Sequence, residues 1–170
     1  RLCRDWSSDV CSSDLITPDE RAYWLRSGMS AVDLGAAPGG WTWWLVQQGL
    51  VVVAIDNANM SEAVMQTGQV EHIRTDGFNW HPRHTNHWIC CDMVEQPQRV
   101  APLMAKWLKE GWAQAALFNL KLPMKKRYLM VQECLACLND LRETHHIRAQ
   151  QLYHDREEIT VVVLPKSARA

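Results

Sequence analysis

The sequence predicts an α/β fold built on one mostly parallel sheet with helices on both faces. Segments typical of strands alternate along the chain with segments typical of helices. Residues 50–55 form a continuous aliphatic run, as expected of a strand buried on both faces. The link between the last two strand-like segments is too short for a parallel crossover, so one strand must be antiparallel.

Glycines and one capping motif indicate where the helices begin and end. Thr17-Pro18-Asp19-Glu20 is a capping box with proline at the first helical position, and Gly28, Gly49 and Gly111 are helix stops. Together with the apolar runs that lie between them, these helix boundaries predict a seven-stranded sheet. The predicted strands are residues 30–34, 50–55, 70–74, 87–91, 115–120, 147–153 and 158–164, and the predicted helices are residues 18–26, 41–48, 100–109 and 124–143.

Composition indicates a globular domain with no strong electrostatic preference. The chain has 170 residues, 47% hydrophobic residues and a net charge of −1, so any affinity for nucleic acid must come from a local patch. It shows no membrane span and no signal peptide, and we expect a cytoplasmic monomer. Adjacent Cys90 and Cys91 lie in an apolar run and fit a reducing compartment better than a disulfide. Cys134 and Cys137 form a single CxxC motif with no second pair of ligands, so no metal site is expected.

The first fifteen residues differ in character from the rest. Residues 4–15 read RDWSSDVCSSDL, in which SSD occurs twice and apolar periodicity is absent. The segment resembles a translated sequencing adapter. We therefore expect residues 1–15 to be non-native and residues 16–170 to form the functional domain.

Polar side chains follow the predicted strands at the edge where a ligand is expected. They are Asp33, Asp56, Asp76, Asp92 and Lys121. In an open α/β sheet, ligands bind outside the carboxyl ends of the strands. These residues are therefore the first candidates for a binding or catalytic site.

The loop DLGAAPGGW, residues 33–41, lets the backbone turn sharply beside a ligand. It is neither GxGxxG nor a P-loop, which disfavours a phosphate ligand. Asp33 would repel phosphate but suits a cationic sulfonium or an amino group. A purely structural turn is the alternative interpretation.

Asp56 and Asp76 each allow two interpretations. Asp56 lies about twenty residues beyond the glycine loop, where an acid binds a ribose diol in nucleotide-binding sheets. A helix cap or turn acid is its alternative. Asp76 is positioned to reach an adenine amino group, whereas a plain Asp-Gly turn is the rival interpretation.

Asp92 and Lys121 end neighbouring predicted strands, and Glu158 begins the last one. The three side chains are therefore expected to meet. Lysine loses its proton near pH 10.4, roughly, so it is a poor base at neutral pH unless its pKa is lowered. Carboxylates oppose that lowering but orient the amine, and a salt bridge without a catalytic role is the alternative.

Taken together, four motifs resemble the FtsJ-like ribose 2′-O-methyltransferases of the Rossmann-fold methyltransferase superfamily. They are VDLGAAPGGWT, CDM at Asp92, FNLKLPMKKRY around Lys121 and LYHDREEITV near the end. The resemblance runs from about Ile16 to Leu164 and implies a Rossmann-fold methyltransferase with one antiparallel strand. It implies transfer of a methyl group from S-adenosyl-L-methionine to a ribose 2′-hydroxyl of RNA, with a cytidine of 23S rRNA as the target. DNA lacks this hydroxyl and is not expected to be a substrate.

The resemblance also implies roles for individual residues. Lys121 would be the general base, with Asp92 and Glu158 as its catalytic partners. Glu158 rather than Glu157 fits the family's closing glutamate, because it directly precedes the strand. The cofactor would be held by Ala37, Pro38, Gly39, Gly40, Asp56, Asp76 and Asp92.

Two other functions remain open from the sequence. The family pattern includes an additional lysine before the first strand, and here no lysine precedes Lys106. A catalytically impaired module that binds cofactor and RNA is therefore one alternative. A dinucleotide-dependent oxidoreductase is the other, although the loop lacks GxGxxG. A basic cluster, Lys125, Lys126 and Arg127, is the candidate contact for RNA phosphates.

Overall fold

The computed structural model describes residues 15–151 and 157–166, which form one layered α/β unit. Its elements follow the alternation that the sequence predicts. In chain order they are α1 (Pro18–Trp24), β1 (Ser30–Leu34), α2 (Gly40–Gln47), β2 (Val51–Ile55), α3 (Glu62–Met65), β3 (Val70–Ile73), β4 (Asn86–Cys91), α4 (Pro97–Lys109), β5 (Ala113–Lys121), α5 (Arg127–Ala136), a 3₁₀ helix (Asn139–Glu143), β6 (His145–Gln150) and β7 (Glu158–Pro165).

The sheet has the strand order β3-β2-β1-β4-β5-β7-β6. Neighbours from β3 to β5 are parallel, and β7 is antiparallel to both β5 and β6. The predicted seven-stranded, mostly parallel sheet with one antiparallel strand is thus confirmed. The order reverses between β1 and β4, and this point of an open α/β sheet is where ligands bind.

Both faces of the sheet are buried. On one face α4 packs its apolar side against the strands, with Met104 and Trp107 fully buried. On the other face α1 and α2 contribute Trp24 and Leu45 to a second core. Cys91 belongs to the first core and Cys90 to the second, because successive residues of a strand face opposite sides of the sheet. Burial raises the pKa of the Cys91 thiol to about 12.

Helix α1 begins with the predicted capping box. The backbone N–H of Glu20 donates to the Thr17 hydroxyl, and the Glu20 carboxylate accepts from the Thr17 N–H at 3.0 Å. The same carboxylate pairs with Arg148 of β6, whose hydrogen bonds hold the pKa of Glu20 at about 2. Arg148 also donates to the Leu15 carbonyl at 2.8 Å, so α1 is fastened to the far strand of the sheet.

The proposed boundary at residue 15 stays a prediction. Residues 1–14 lie outside the described part of the chain. Leu15, which the sequence placed in the adapter-like segment, is only 7% exposed and joins the core under α1.

The predicted long helix over residues 124–143 is wrong. Lys126 adopts a left-handed backbone with φ 58°, so regular helix begins only at Arg127. The helix ends at Ala136, and the chain continues as the 3₁₀ helix Asn139–Glu143. The short helix α3 was not predicted, although Ser61 caps it by accepting from the Val64 N–H. Among the described residues, no helix is long and apolar enough to cross a membrane.

Gly39 fixes how the glycine loop packs on α3. Its φ is 118°, and a Cβ added there would lie 2.8 Å from Cγ2 of Val64. Gly68 also has a positive φ, 71°, but a Cβ there would meet nothing within 4 Å. An alanine at Gly68 would therefore suffer backbone strain alone, whereas an alanine at Gly39 would suffer the same kind of strain and also a steric overlap with Val64.

We therefore expect Gly39→Ala to lower the free energy of unfolding by about 2–4 kcal/mol, because it adds overlap to strain. Gly68→Ala, the matched control, should cost only about 1 kcal/mol from strain alone. Urea denaturation of both variants measures the difference. Equal losses would show that the contact with Val64 does not constrain the loop.

Candidate active site

The carboxyl edge of the sheet brings the predicted acids and the lysine to one region. Asp56, Asp76 and Asp92 follow β2, β3 and β4, and Lys121 ends β5. Glu158 begins β7, and because β7 is antiparallel its first residue lies at the same edge. The candidate site therefore uses residues from five different strands or strand ends.

Lys121 lies between two carboxylates. Its Nζ donates to Asp92 Oδ1 at 2.7 Å and also to Glu158 Oε2. The pairing register places Lys121 of β5 directly opposite Glu158 of β7. The side chains of Lys121 and Asp92 are each 31% exposed, so the cluster is only half-buried and open to a substrate.

Two further polar residues, which the sequence did not single out, support this cluster. Asn119 donates from Nδ2 to Asp92 Oδ1 at 3.1 Å, and Thr160 donates to Asn119 Oδ1 at 2.8 Å. Both are buried, at 4% and 3% exposure. They lie two residues before Lys121 and two after Glu158, on the same sheet face. The spacing of two residues from Lys121 and from Glu158 was the only signal in the sequence that could have identified Asn119 and Thr160 as part of this site.

Burial of Lys121 lowers its pKa, but the hydrogen bonds and charges of Asp92 and Glu158 raise it more, so its pKa lies above the usual value. The resting form is therefore an ammonium held between two carboxylates. This geometry is compatible with both interpretations of Lys121 that the sequence left open, an oriented base and a salt bridge without a catalytic role.

A cavity of about 390 Å³, here called the cofactor cavity, opens beside this cluster. Its size is within the usual range for small-molecule sites. The acids predicted to bind a cofactor all contribute to its wall. Its lining includes Gly35, Ala37, Asp56, Asp76, Phe78, Asp92, Met93 and Arg99.

Asp56 and Asp76 line the cavity and also hold local turns. Asp56 accepts from the Ala37 N–H at 3.0 Å and from the Ala58 N–H at 2.8 Å, which ties the glycine loop to the end of β2. Asp76 accepts from the Phe78 N–H at 2.9 Å and from the Asn79 side chain at 2.8 Å. The turn interpretations and the binding interpretations are thus compatible at both positions.

The glycine loop approaches the cavity at only part of its length. Gly35 and Ala37 line it, and Gly35 is required because a Cβ there would lie 2.6 Å from Met93 Cγ. Pro38, Gly39 and Gly40 are not part of the lining, since Gly39 faces Val64 of α3 and Gly40 begins α2. Their part in cofactor binding stays a prediction.

The family model described as FtsJ-like methyltransferase matches residues 13–163, most of the chain. The chain belongs to the FtsJ-like methyltransferase family. It is 54% identical over 155 residues to a protein of Stenotrophomonas maltophilia named ribosomal RNA large subunit methyltransferase M, covering 89% of this chain and 43% of that protein. The protein of the same name from Xanthomonas axonopodis is 53% identical over 151 residues, covering 88% of this chain and 44% of the relative. The chain thus spans less than half the length of these relatives.

Solved structures support the fold of this FtsJ-like domain. The fibrillarin pre-rRNA processing protein of Methanococcus jannaschii matches with a TM-score of 0.63 at 14% identity, covering 84% of this chain and 68% of that chain. Magnesium protoporphyrin IX methyltransferase from Synechocystis, solved with bound SAM, matches with a TM-score of 0.62 at 12% identity, covering 97% and 82%. The predicted family and the Rossmann-like methyltransferase fold are both confirmed.

In this FtsJ-like domain Asp33 does not reach the cofactor cavity. It shares the β1 face of Ala31, which packs under α2, and its Oδ2 accepts from the Thr42 hydroxyl at 2.7 Å. The interpretation of Asp33 as a partner for a sulfonium or amino group is therefore not supported, because strand alternation turns it inward. Burial raises the pKa of Asp33 to about 7, opposed by the Thr42 hydrogen bond and reinforced by the charges of Asp92 and Asp56.

This raised pKa gives a stability that depends on pH. Because the folded pKa exceeds the usual 3.8, the stabilisation from protonated Asp33 is complete below pH 3.8 and is lost as pH rises through about 7. We expect Asp33→Asn, which cannot ionise, to gain stability relative to wild type between pH 5 and pH 8, by at most about 3 kcal/mol. Thermal melts at both pH values measure this.

The exposed substitution Glu71→Gln on β3 is the control and should show no such change. A difference between Asp33→Asn and wild type that is the same at both pH values would mean that Asp33 does not titrate in this range.

Proposed function

We propose that this FtsJ-like domain transfers a methyl group from S-adenosyl-L-methionine to a ribose 2′-hydroxyl of RNA, with a cytidine of 23S rRNA as the target. The observation that carries the proposal is the position of Lys121. Its amine reaches Asp92, which lines the cofactor cavity, while Lys121 itself lines a second cavity next to it. Ribosomal RNA as the substrate implies a cytoplasmic enzyme.

The residues of the cofactor cavity fit S-adenosyl-L-methionine. A carboxylate offers about four lone-pair positions, and the backbone N–H groups use only two of those on Asp56, so its oxygens can still accept from ribose hydroxyls. Asp76 stands at the next strand end, where it can accept from an adenine amino group. Phe78 and Met93 supply apolar surface to the same cavity. When bound, the cofactor supplies an electrophilic methyl group on a sulfonium.

The chain's own contribution to the reaction is alignment and proton removal. Methyl transfer is an in-line displacement, for which orientation of the hydroxyl does much of the work. As the O–C bond forms and the bond from sulfur to the methyl group breaks, which would leave a neutral thioether, the 2′-hydroxyl proton passes to Nζ of the small fraction of Lys121 that is neutral. Asp92 and Glu158 hold Nζ in place and stabilise the ammonium that results.

RNA binding depends on a local basic surface because the net charge is −1. Lys125 and Lys126 are exposed and stand between β5 and α5, directly beyond Lys121. Arg127 pairs with Glu157, so it is partly neutralised. Lys125 and Lys126 are the proposed contacts for phosphates next to the target ribose.

We expect Asp56→Ala to weaken binding of S-adenosyl-L-methionine by about 10- to 150-fold, because a charged hydrogen-bond acceptor is lost. Calorimetric titration measures this affinity. Glu71→Ala, an exposed acid on neighbouring β3 that lies outside the cofactor cavity, is the control and should bind like wild type. The cofactor proposal fails if wild type shows no binding.

We expect Lys121→Ala to abolish methyl transfer to 23S rRNA while cofactor affinity changes only a few-fold, since a base acts mainly in the transition state. Because the pKa of Lys121 is raised, the wild-type rate should keep rising with pH beyond neutrality, and the variant should lose this rise. Single-turnover assays with labelled cofactor measure both. Lys109→Ala, which breaks a surface pair with Asp140, is the control.

A target nucleotide with a 2′-deoxyribose should bind and remain unmethylated. Appearance of the methyl group on a base, or a near-normal rate in Lys121→Ala, would contradict the proposal. Cofactor binding by wild type without any transfer to RNA would instead favour the catalytically impaired module.

A further inference from the structure

A second cavity of about 570 Å³, here called the cleft, adjoins the cofactor cavity. The two cavities share Val94 and Glu95 in their walls. Lys121 lines the cleft, and its Nζ lies 2.7 Å from Oδ1 of Asp92 in the wall of the cofactor cavity. A hydroxyl that meets both Lys121 and a group in the cofactor cavity must therefore lie where the two cavities join.

The chemistry of a nucleotide decides what then occupies the cleft. In ribose the base is attached to C1′, the carbon next to the C2′ that carries the reacting hydroxyl. A ribose with its 2′-hydroxyl at Lys121 therefore holds its base within a few bond lengths of that lysine. With the cofactor in the cavity on one side, the cleft on the other side is the neighbouring space lined by Lys121 that can take the base.

We propose that the loop between β4 and α4, together with the first turn of α4, holds and reads the target base, through Val94 and Gln96 of the loop and Gln98 of the helix. This inference rests on the proposed function and extends it to the residues that select the nucleotide. The cleft places this loop opposite Leu122 and Met130, beyond the end of β5. The base enters it unstacked from its neighbours, as in other recognition of single-stranded RNA.

The walls of the cleft suit the flat faces of a base. Val94 is 93% exposed and lines both cavities, so its side chain offers apolar surface at their junction. Leu122, Pro123 and Met130 form the opposite apolar wall. A base between these walls covers apolar surface that water otherwise contacts.

Gln96 and Gln98 supply hydrogen-bonding groups for the edge of the base. Both are exposed and line the cleft, and within the described residues neither carboxamide has a hydrogen-bond partner. Each carboxamide carries donors and an acceptor, which matches the mixed pattern on a base edge. Pro97 between them is buried in the first turn of α4, so the two glutamines are held on a fixed backbone.

The surface beyond the cleft is suited to the neighbouring nucleotides. Met124 and Tyr128 are 83% and 76% exposed, and Lys125 and Lys126 lie between them in the sequence. Exposed apolar and aromatic side chains among lysines are complementary to stacked bases and phosphates of a single strand. The RNA therefore has a continuous path from α5 into the cleft.

The test begins with wild type saturated with S-adenosyl-L-methionine, which locates the methylated nucleotide in 23S rRNA. Synthetic fragments then carry each of the four bases at that position. We expect the double variant Gln96→Ala/Gln98→Ala to lose roughly tenfold or more of the preference for the natural base in single-turnover transfer. Cofactor affinity should be unchanged. Gln47→Ala, an exposed glutamine of α2 outside both cavities, is the matched control.

A second measurement uses only binding. A fragment with 5-iodocytidine, which keeps the hydrogen-bonding edge of cytosine, at the target position should crosslink on irradiation to the tryptic peptide of residues 84–99, which contains Val94, Gln96 and Gln98. Val94→Ala should reduce the crosslink yield when both the variant and wild type are saturated with S-adenosyl-L-methionine. Unchanged base preference in the double variant, or a crosslink confined to the tryptic peptide of residues 27–74, which contributes nothing to the cleft, overturns the inference while the proposed function stands. Absence of both transfer and crosslinking in wild type overturns both.

Discussion

The register between β5 and β7 is the constraint on which the candidate site depends. It pairs Lys121 with Glu158 and Asn119 with Thr160, and all four side chains belong to one hydrogen-bonded network. Since side chains alternate along a strand, a shift of one residue would turn this set to the opposite face. Nζ of Lys121, the proposed base, is therefore positioned by main-chain pairing within the sheet and not by a loop. The neighbouring pairing of β4 with β5 adds Asp92 from the other side.

This arrangement balances charge at a half-buried position. An ammonium removed from water is costly unless carboxylates accompany it, and two of them do so here. The same partners keep the proton on Lys121, which leaves little of the neutral amine at rest but fixes the direction of the side chain. Asn119 donates to the same Asp92 oxygen as the lysine, and Thr160 donates in turn to Asn119, so Asp92 is held by neutral partners as well as by the ammonium. Under the proposed function, the contribution of such a site is alignment of the hydroxyl together with a fixed position for the proton acceptor.

Much of the fold and the polar cluster could be predicted because strand ends are visible in the sequence. Aliphatic runs identified the strands, and parallel pairing implied that Asp92 and Lys121 would meet. Asp33 could not be assigned a direction, because β1 is buried on both faces and its pattern does not show which side a residue takes. The start of α5 was misplaced because nothing in Met124-Lys125-Lys126 signals a left-handed residue. The glutamines of the cleft are ordinary surface residues in the sequence, and only the approach of two separate loops gives them significance.

The position of β7 between β5 and β6 has a consequence for biosynthesis. It comes last in the chain among the described strands, yet it lies inside the sheet and not at its edge. A nascent polypeptide leaving the ribosome exposes β5 and β6 as unpaired edges until β7 has emerged and inserted between them. Unpaired strand edges can form hydrogen bonds with other extended chains, so the risk of aggregation, and the benefit of a chaperone, is greatest during this interval. Glu158 arrives only with that strand, so the charge balance around Lys121 is completed only once β7 has paired with β5.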